Sequence, residues 1–308
     1  MNLRVKLECP TNFLEPHEVE SILLSREMCL NSEDPDAVVV NPGTDKYLCW
    51  DYFGGYKNLS VVGTPSTGTN HINVSALTSR GISVVCLLDD KKSLNDIHAS
   101  AEFTWVHIMN LTRKFTNAIA SVDDWRSETN ELLLRSNELH GKTIGIIGMG
   151  RIGIKLASYA KAFGMNVCFY DPYKKSWEFP AIKKVQELSD MSVCDILSIN
   201  CTLTKETNSL IRPGVWDDLK PGTVVVNTSR GDVVDEDYIV SLVNNNGIYY
   251  GTDVLQNEQN LRLLKKSSLY ELSKRSDRVV ITPHVAGATK ESQTKALVTT
   301  LDLVKSAV

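Results

Sequence analysis

Residues 144–153 read IGIIGMGRIG, with glycines at 148, 150 and 153 set directly behind a short apolar run. A G-x-G-x-x-G that follows a strand and opens a helix has three jobs. The first glycine makes the tight turn, the second lets backbone approach a pyrophosphate, and the third lets helix and strand pack. The surroundings fit. Ile152, Leu156, Ala160 and Phe163 recur at helical spacing and predict a buried face, and Gly164 suits the left-handed residue that closes such a helix. The next apolar strand, NVCFYD, ends in Asp171, eighteen residues past Gly153. A carboxylate there can accept both ribose hydroxyls of NAD and repels the 2′-phosphate of NADP. Gly148, Gly150, Gly153 and Asp171 are therefore candidate residues of an NAD cradle.

Around this stretch, short β-branched or apolar runs recur at 37–40, 59–62, 82–87, 143–147, 166–170, 195–200, 222–227, 248–253 and 278–281, with helix-like segments between nearly all of them. Such alternation implies parallel sheets with helices on both faces, because a parallel crossover needs a dozen or more residues. The class is α/β. With 308 residues the chain is long enough for two cores. Ile97, Ala101, Trp105, Ile108 and Leu111 predict one long helix over 93–117 linking two domains. A looser stretch, 121–140, follows it.

Composition excludes several classes of function. Against 33 Lys and Arg stand 37 Asp and Glu, a formal net charge of -4, which argues against a nucleic-acid or anionic-membrane surface. No apolar run approaches the ~20 residues of a membrane span, and MNLRVKLECP lacks the basic-then-apolar pattern of a secretion signal, so the expected location is cytoplasmic. The seven cysteines form neither a CxxC pair nor a short-spaced zinc motif, and no metal site is expected.

Polar residues at the carboxyl ends of parallel strands point into the ligand crevice. VVVNTSRGD places Arg230 just past one strand, where its planar fork suits a substrate carboxylate. ITPHVAGAT places His284 just past another, and histidine exchanges protons near neutral pH. Glu258, in GTDVLQNEQN, would raise the pKa of His284 and fix its tautomer if the two met. Arginine, glutamate and histidine around a nicotinamide suit the reduction of an α-keto acid.

These residues resemble the D-isomer-specific 2-hydroxyacid dehydrogenases. TPSTGTNHI at 64–72, ASAEFT at 99–104, GKTIGIIGMGRIG, NCTLTKETNSLI, NTSRGDVVDED and PHVAGATKES follow in family order over nearly the whole chain. The resemblance implies two doubly wound parallel-sheet domains: a flavodoxin-like substrate domain, 1–105 plus 285–308, and an inserted Rossmann nucleotide-binding domain, 106–284. It implies the catalytic roles for Arg230, Glu258 and His284, backbone contacts to NAD from Arg151 and Ile152, and cofactor contacts from Cys201, Thr202, Ser229 and Asp253. It also implies substrate contacts from Asn41, Pro42, Gly43, Thr67 and Gly68, and a homodimer in which 121–140 reaches across.

Departures fall in the loops. The family's proline after the glutamate is missing from QNEQN, Glu271 is the other acid of that insertion, Asn70 and His71 replace the acid and amide of TGxDN, and Thr202 stands for a proline. GAT followed by Lys and Glu after His284 most resembles the phosphoglycerate dehydrogenase branch, and serine feedback through an added regulatory domain is not expected. The leading expectation is an NAD-dependent oxidoreductase interconverting a D-2-hydroxy acid and its 2-keto acid. An NAD-sensing corepressor-like binding protein and a formate or phosphite oxidiser on the same fold are the alternatives.

Overall fold

The computed structural model describes residues 2–31, 33–44, 46–178 and 181–308. The chain divides into two compact units, 1–97 with 287–308, and 98–286. Each is a parallel sheet covered by helices, as the alternating pattern requires.

The first unit carries five strands: β1 (Leu3–Leu7), β2 (Met28–Leu30), β3 (Ala37–Val39), β4 (Val61–Thr64) and β5 (Ser83–Cys86), in the order β2-β1-β3-β4-β5. This is the flavodoxin-like order. β3 and β4 are fully buried, and the helix Lys290–Ala307 lies over β4 and β5. Gly63 is the reason it can lie so close, since a Cβ there would meet Thr300 and Val304 at 2.8 and 2.9 Å.

The second unit carries β6 (Thr143–Ile147), β7 (Asn166–Tyr170), β8 (Lys183–Lys184), β9 (Ile196–Ile199), β10 (Val224–Asn227), β11 (Tyr249–Thr252) and β12 (Val279–Ile281), ordered β12-β11-β10-β9-β6-β7-β8. Strand order reverses between β6 and β9, the switch point at which open α/β sheets bind ligands. One face buries Trp216, Tyr250 and Leu197, the other Ile144, Ile146 and Leu156. Among the described residues no helix is long and apolar enough to cross a membrane.

The structure differs from the sequence reading in four places. The expected single helix over 93–117 is three: Lys91–Asn95, capped by the Asp90 carboxylate, then Ala99–Arg113, then Phe115–Ala120. Lys114 is left-handed at φ 51, and the Asn110 side chain accepts from Thr116 N across the break. The units part at 97/98 and 286/287, whereas 105/106 and 284/285 were expected, because Ala99–Arg113 packs along its length on the second unit's β10, β11 and Arg151–Ala162 helix. β1, β2 and β8 were not foreseen. In β1, Arg4 and Lys6 interrupt the apolar run and pair with Asp36 and Glu8. Phe163 is exposed and not part of a buried face, because it follows the last helical turn and rests against the Trp105 ring.

Candidate active site

The glycine stretch forms the turn from β6 into the helix Arg151–Ala162. Gly148 has φ 89, and a Cβ on it would lie 2.9 Å from Cys201 N, so only glycine makes this turn. A Cβ on Gly153 would lie 2.3 Å from Gly148 O, which is the close helix–strand packing the third glycine permits. A Cβ on Gly150 would meet nothing within 4 Å. Gly150 is the N-cap and itself supplies no side-chain acceptor to the first turn, which begins with Arg151 and Ile152. Open space in front of Gly150 and the positive end of the helix dipole together fit a pyrophosphate. Asp171 closes the loop from the next strand: Oδ2 accepts from Met149 N at 2.9 Å and Oδ1 from Tyr173 N at 2.9 Å. Cys201 and Thr202 follow β9, and Thr202 O accepts from Thr207 Oγ1.

Three adjacent strands, β10, β11 and β12, end in the segments that carry Arg230, Glu258 and His284. At the end of β10, fully buried Asn227 ties down the NTSRG turn: its Oδ1 accepts from Ser229 N and Oγ, and its Nδ2 donates to Arg230 O at 3.0 Å. Gly231 then lets this turn press on the next segment, since a Cβ there would lie 2.1 Å from Leu255 C. Arg230 Nη1 donates to Ser229 O at 2.7 Å. Burial lowers the guanidinium's pKa and Glu258 opposes that shift, and the group stays charged at any ordinary pH.

Glu258 Oε1 meets His284 Nδ1 at 2.7 Å, so the carboxylate that pairs with the imidazole is Glu258 and not Glu271, which pairs with Lys274. His284 is left-handed at φ 54, a conformation that costs a non-glycine residue about 1–3 kcal/mol. Its pKa is raised, first by the hydrogen bond to Glu258 and against the lowering effect of burial. The missing proline after Glu258 has a substitute. Buried Glu236 accepts from Gln256 N at 2.7 Å and from Ser267 Oγ at 2.5 Å, pinning both ends of the insertion. Burial raises the pKa of Glu236.

Asp253, at the end of β11, is 1% exposed. Its Oδ1 accepts from Thr282 Oγ1 at 2.5 Å and Val285 N at 3.0 Å, and its Oδ2 from Ala286 N at 2.7 Å. The structure uses both its oxygens to hold the histidine loop. The cofactor contact that the resemblance implies for Asp253 would be made beside these bonds.

The expected substrate residues lie in the first unit, again past strand ends. Asn41, Pro42 and Gly43 follow β3, where Asn41 Oδ1 accepts from Gly43 N in an Asx turn at 2.9 Å. Thr67 and Gly68 follow β4, and Gly68 O accepts from Ser66 Oγ. Sequence reasoning missed Asn227, Glu236 and Thr282, which hold the segments carrying Arg230, Glu258 and His284 in place. A polar residue inside or at the end of an apolar strand marks Asn227 and Thr282, but nothing local marks Glu236.

Residues 105–286 match the family described as D-isomer specific 2-hydroxyacid dehydrogenase, NAD binding domain. The chain belongs to this family. A D-3-phosphoglycerate dehydrogenase of Archaeoglobus fulgidus is 32% identical over 90% of the chain, and the match spans 50% of that protein's length. A glyoxylate reductase of Thermofilum pendens is 33% identical over 90% of the chain and 80% of that protein. The fold is shared with a D-lactate dehydrogenase from Aquifex aeolicus solved with NAD and lactic acid, at a TM-score of 0.77 and 24% identity over 98% of this chain and 94% of that one. NAD is the cofactor of the matched domain, which contains the glycine turn and Asp171.

Proposed function

We propose that this chain is an NAD-dependent D-2-hydroxyacid dehydrogenase, interconverting a D-2-hydroxy acid and its 2-keto acid. The observation that carries the reading is the 2.7 Å pair of His284 and Glu258 at the same sheet edge as Arg230 and the glycine turn. Bound NADH would supply the hydride. Arg230 grips the keto acid's carboxylate and polarises its carbonyl, while protonated His284 donates to the forming alkoxide. Glu258 keeps that proton on the imidazole at neutral pH and holds the ring in one tautomer. Asp171 selects NAD over NADP. Cys201, Thr202 and Ser229 line the cofactor, and Asn41, Pro42, Gly43, Thr67 and Gly68 contact the substrate.

The acid itself is read from relatives. The phosphoglycerate and glyoxylate enzymes named above favour a short 2-keto acid, and phosphohydroxypyruvate heads the order by motif. In the first unit, Lys46 is the one cation of the loop after β3, while Lys6 is already paired with Glu8 at 2.8 Å. The deciding assay follows NADH absorbance with phosphohydroxypyruvate, glyoxylate, hydroxypyruvate and pyruvate. Turnover of at least one is expected. Tight NADH binding with no turnover of any would favour the corepressor-like sensor instead.

We also propose that the protein works as a cytoplasmic homodimer. Phe115, Ile119, Val122, Trp125, Leu132 and Leu133 are all more than half exposed on consecutive helical segments of the second unit. A concentrated apolar surface of this kind marks an interface.

A further inference from the structure

Among the buried titratable side chains that the reading above leaves without a task is a histidine beside the loop of His284. His107, on the helix Ala99–Arg113, is 2% exposed and packs edge-on against Phe103 with ring centroids 5.4 Å apart. Its Nε2 lies 3.0 Å from Thr282 Oγ1. The same hydroxyl lies 2.5 Å from Asp253 Oδ1. A carboxylate oxygen facing a hydroxyl accepts its proton, so Thr282 donates to Asp253. The hydroxyl oxygen is then the acceptor for His107, whose Nε2 must carry hydrogen. Burial lowers the pKa of His107, in keeping with a neutral ring in this one tautomer. Nδ1 has no hydrogen-bond partner, and it occupies the space a Cβ on residue 251 would need, at 2.9 Å. Gly251 on β11 thus makes room for this imidazole. The chain of contacts continues from Asp253 to the N–H groups of Val285 and Ala286, which directly follow the left-handed His284.

We propose that His107 is a positioning residue for His284. By donating to Thr282 it commits that hydroxyl to Asp253, and the carboxylate so oriented clamps the 285–286 backbone that keeps His284 turned toward Glu258. A leucine of similar volume would pack as well on Phe103 and Gly251 but could not orient the hydroxyl. The charged groups that act on the His284 imidazole are Glu258, Arg230 and Asp253, and all three remain in the chain when residue 107 is changed. The proposal rests on His284 being the proton donor. One readout is therefore independent of turnover.

The test compares His107→Leu, His107→Gln and Thr282→Val in the full chain. Turnover is followed with NADH and the best keto acid, and the His284 imidazole is titrated by NMR without substrate. His107→Leu should lower kcat about tenfold, as expected for a loosened general acid, with NADH affinity within about twofold, and should lower the His284 pKa. His107→Gln can still donate to Thr282 and should restore both. Thr282→Val should match His107→Leu, and the double variant should be no worse than either, as for two members of one network. If His107→Leu does not fold, the same fall in Thr282→Val with wild-type titration in His107→Gln carries the claim. Wild-type titration of His284 in His107→Leu or Thr282→Val would overturn it, as would losses in the two that multiply. A shifted titration in a protein that reduces no keto acid would uphold the positioning and sink the dehydrogenase reading.

Discussion

His284 acquires two things from the fold at once, a carboxylate partner and a left-handed backbone. The carboxylate raises its pKa, so the folded protein holds a proton that the unfolded chain would release near pH ~6.5. The pair's contribution to stability is therefore complete below that value and is lost as pH rises through the higher folded pKa. Keto-acid reduction should follow the same window, with rate falling on the alkaline side. Glu258→Gln keeps a similar shape but removes the charge, and we expect its pH–rate profile to break at lower pH; an unmoved break would mean the pair does not set the acid. His284→Ala should lower turnover by ~10²-fold or more while NADH affinity stays nearly intact. An equal loss of cofactor binding would make the residue structural. Arg230, His284 and Asp171 stand out in the sequence because each lies within three residues of the end of an apolar run. Glu258 was an expectation whose partner lay 26 residues away and only the fold could supply.

At the scale of elements, the glycines do different work although the sequence prints them alike. Gly148 needs a positive φ, Gly153 needs the absence of a side chain, and Gly150 needs the open space in front of it. Gly231 belongs with Gly153, since its neighbour is backbone that cannot step aside. Gly231→Ala should destabilise the protein by about 1–3 kcal/mol or more, as overpacking does, measured by denaturant unfolding. It should also raise the KM for the keto acid by displacing Arg230, and an unchanged KM would separate the turn from substrate binding. Asp171→Ala should weaken NADH and narrow the gap to NADPH in a binding titration. Because Asp171 also accepts from Met149 N, some loss of both cofactors is expected. A full NAD preference in the variant would contradict its role. The long helix over 93–117 was misread because apolar spacing runs on through 97 and 114, and periodicity does not register a left-handed residue such as Lys114.

For the whole molecule, the exposed row from Phe115 to Leu133 predicts self-association through the second unit. Replacing Trp125 and Leu133 with aspartate together should shift sedimentation from dimer to monomer at micromolar concentration, with the fold retained by circular dichroism. A wild-type protein that sediments as a monomer would remove the proposal. The sequence by itself determined the α/β class, the second unit's nucleotide turn and the family, because each rests on patterns within a few tens of residues. Strand period, glycine spacing and strand-end polar residues are local consequences of backbone geometry. Tertiary structure alone decided which acid meets His284, what replaces the missing proline, and that His107 reaches Thr282 across 175 positions. Those pairings depend on strand order and on a helix laid across β10 and β11. No local pattern encodes them, because residues remote in the chain become neighbours only when the sheet that separates them in sequence has been assembled. IGIIGMGRIG announced a cradle, and the order of strands beside it brought His284 and Glu258 together.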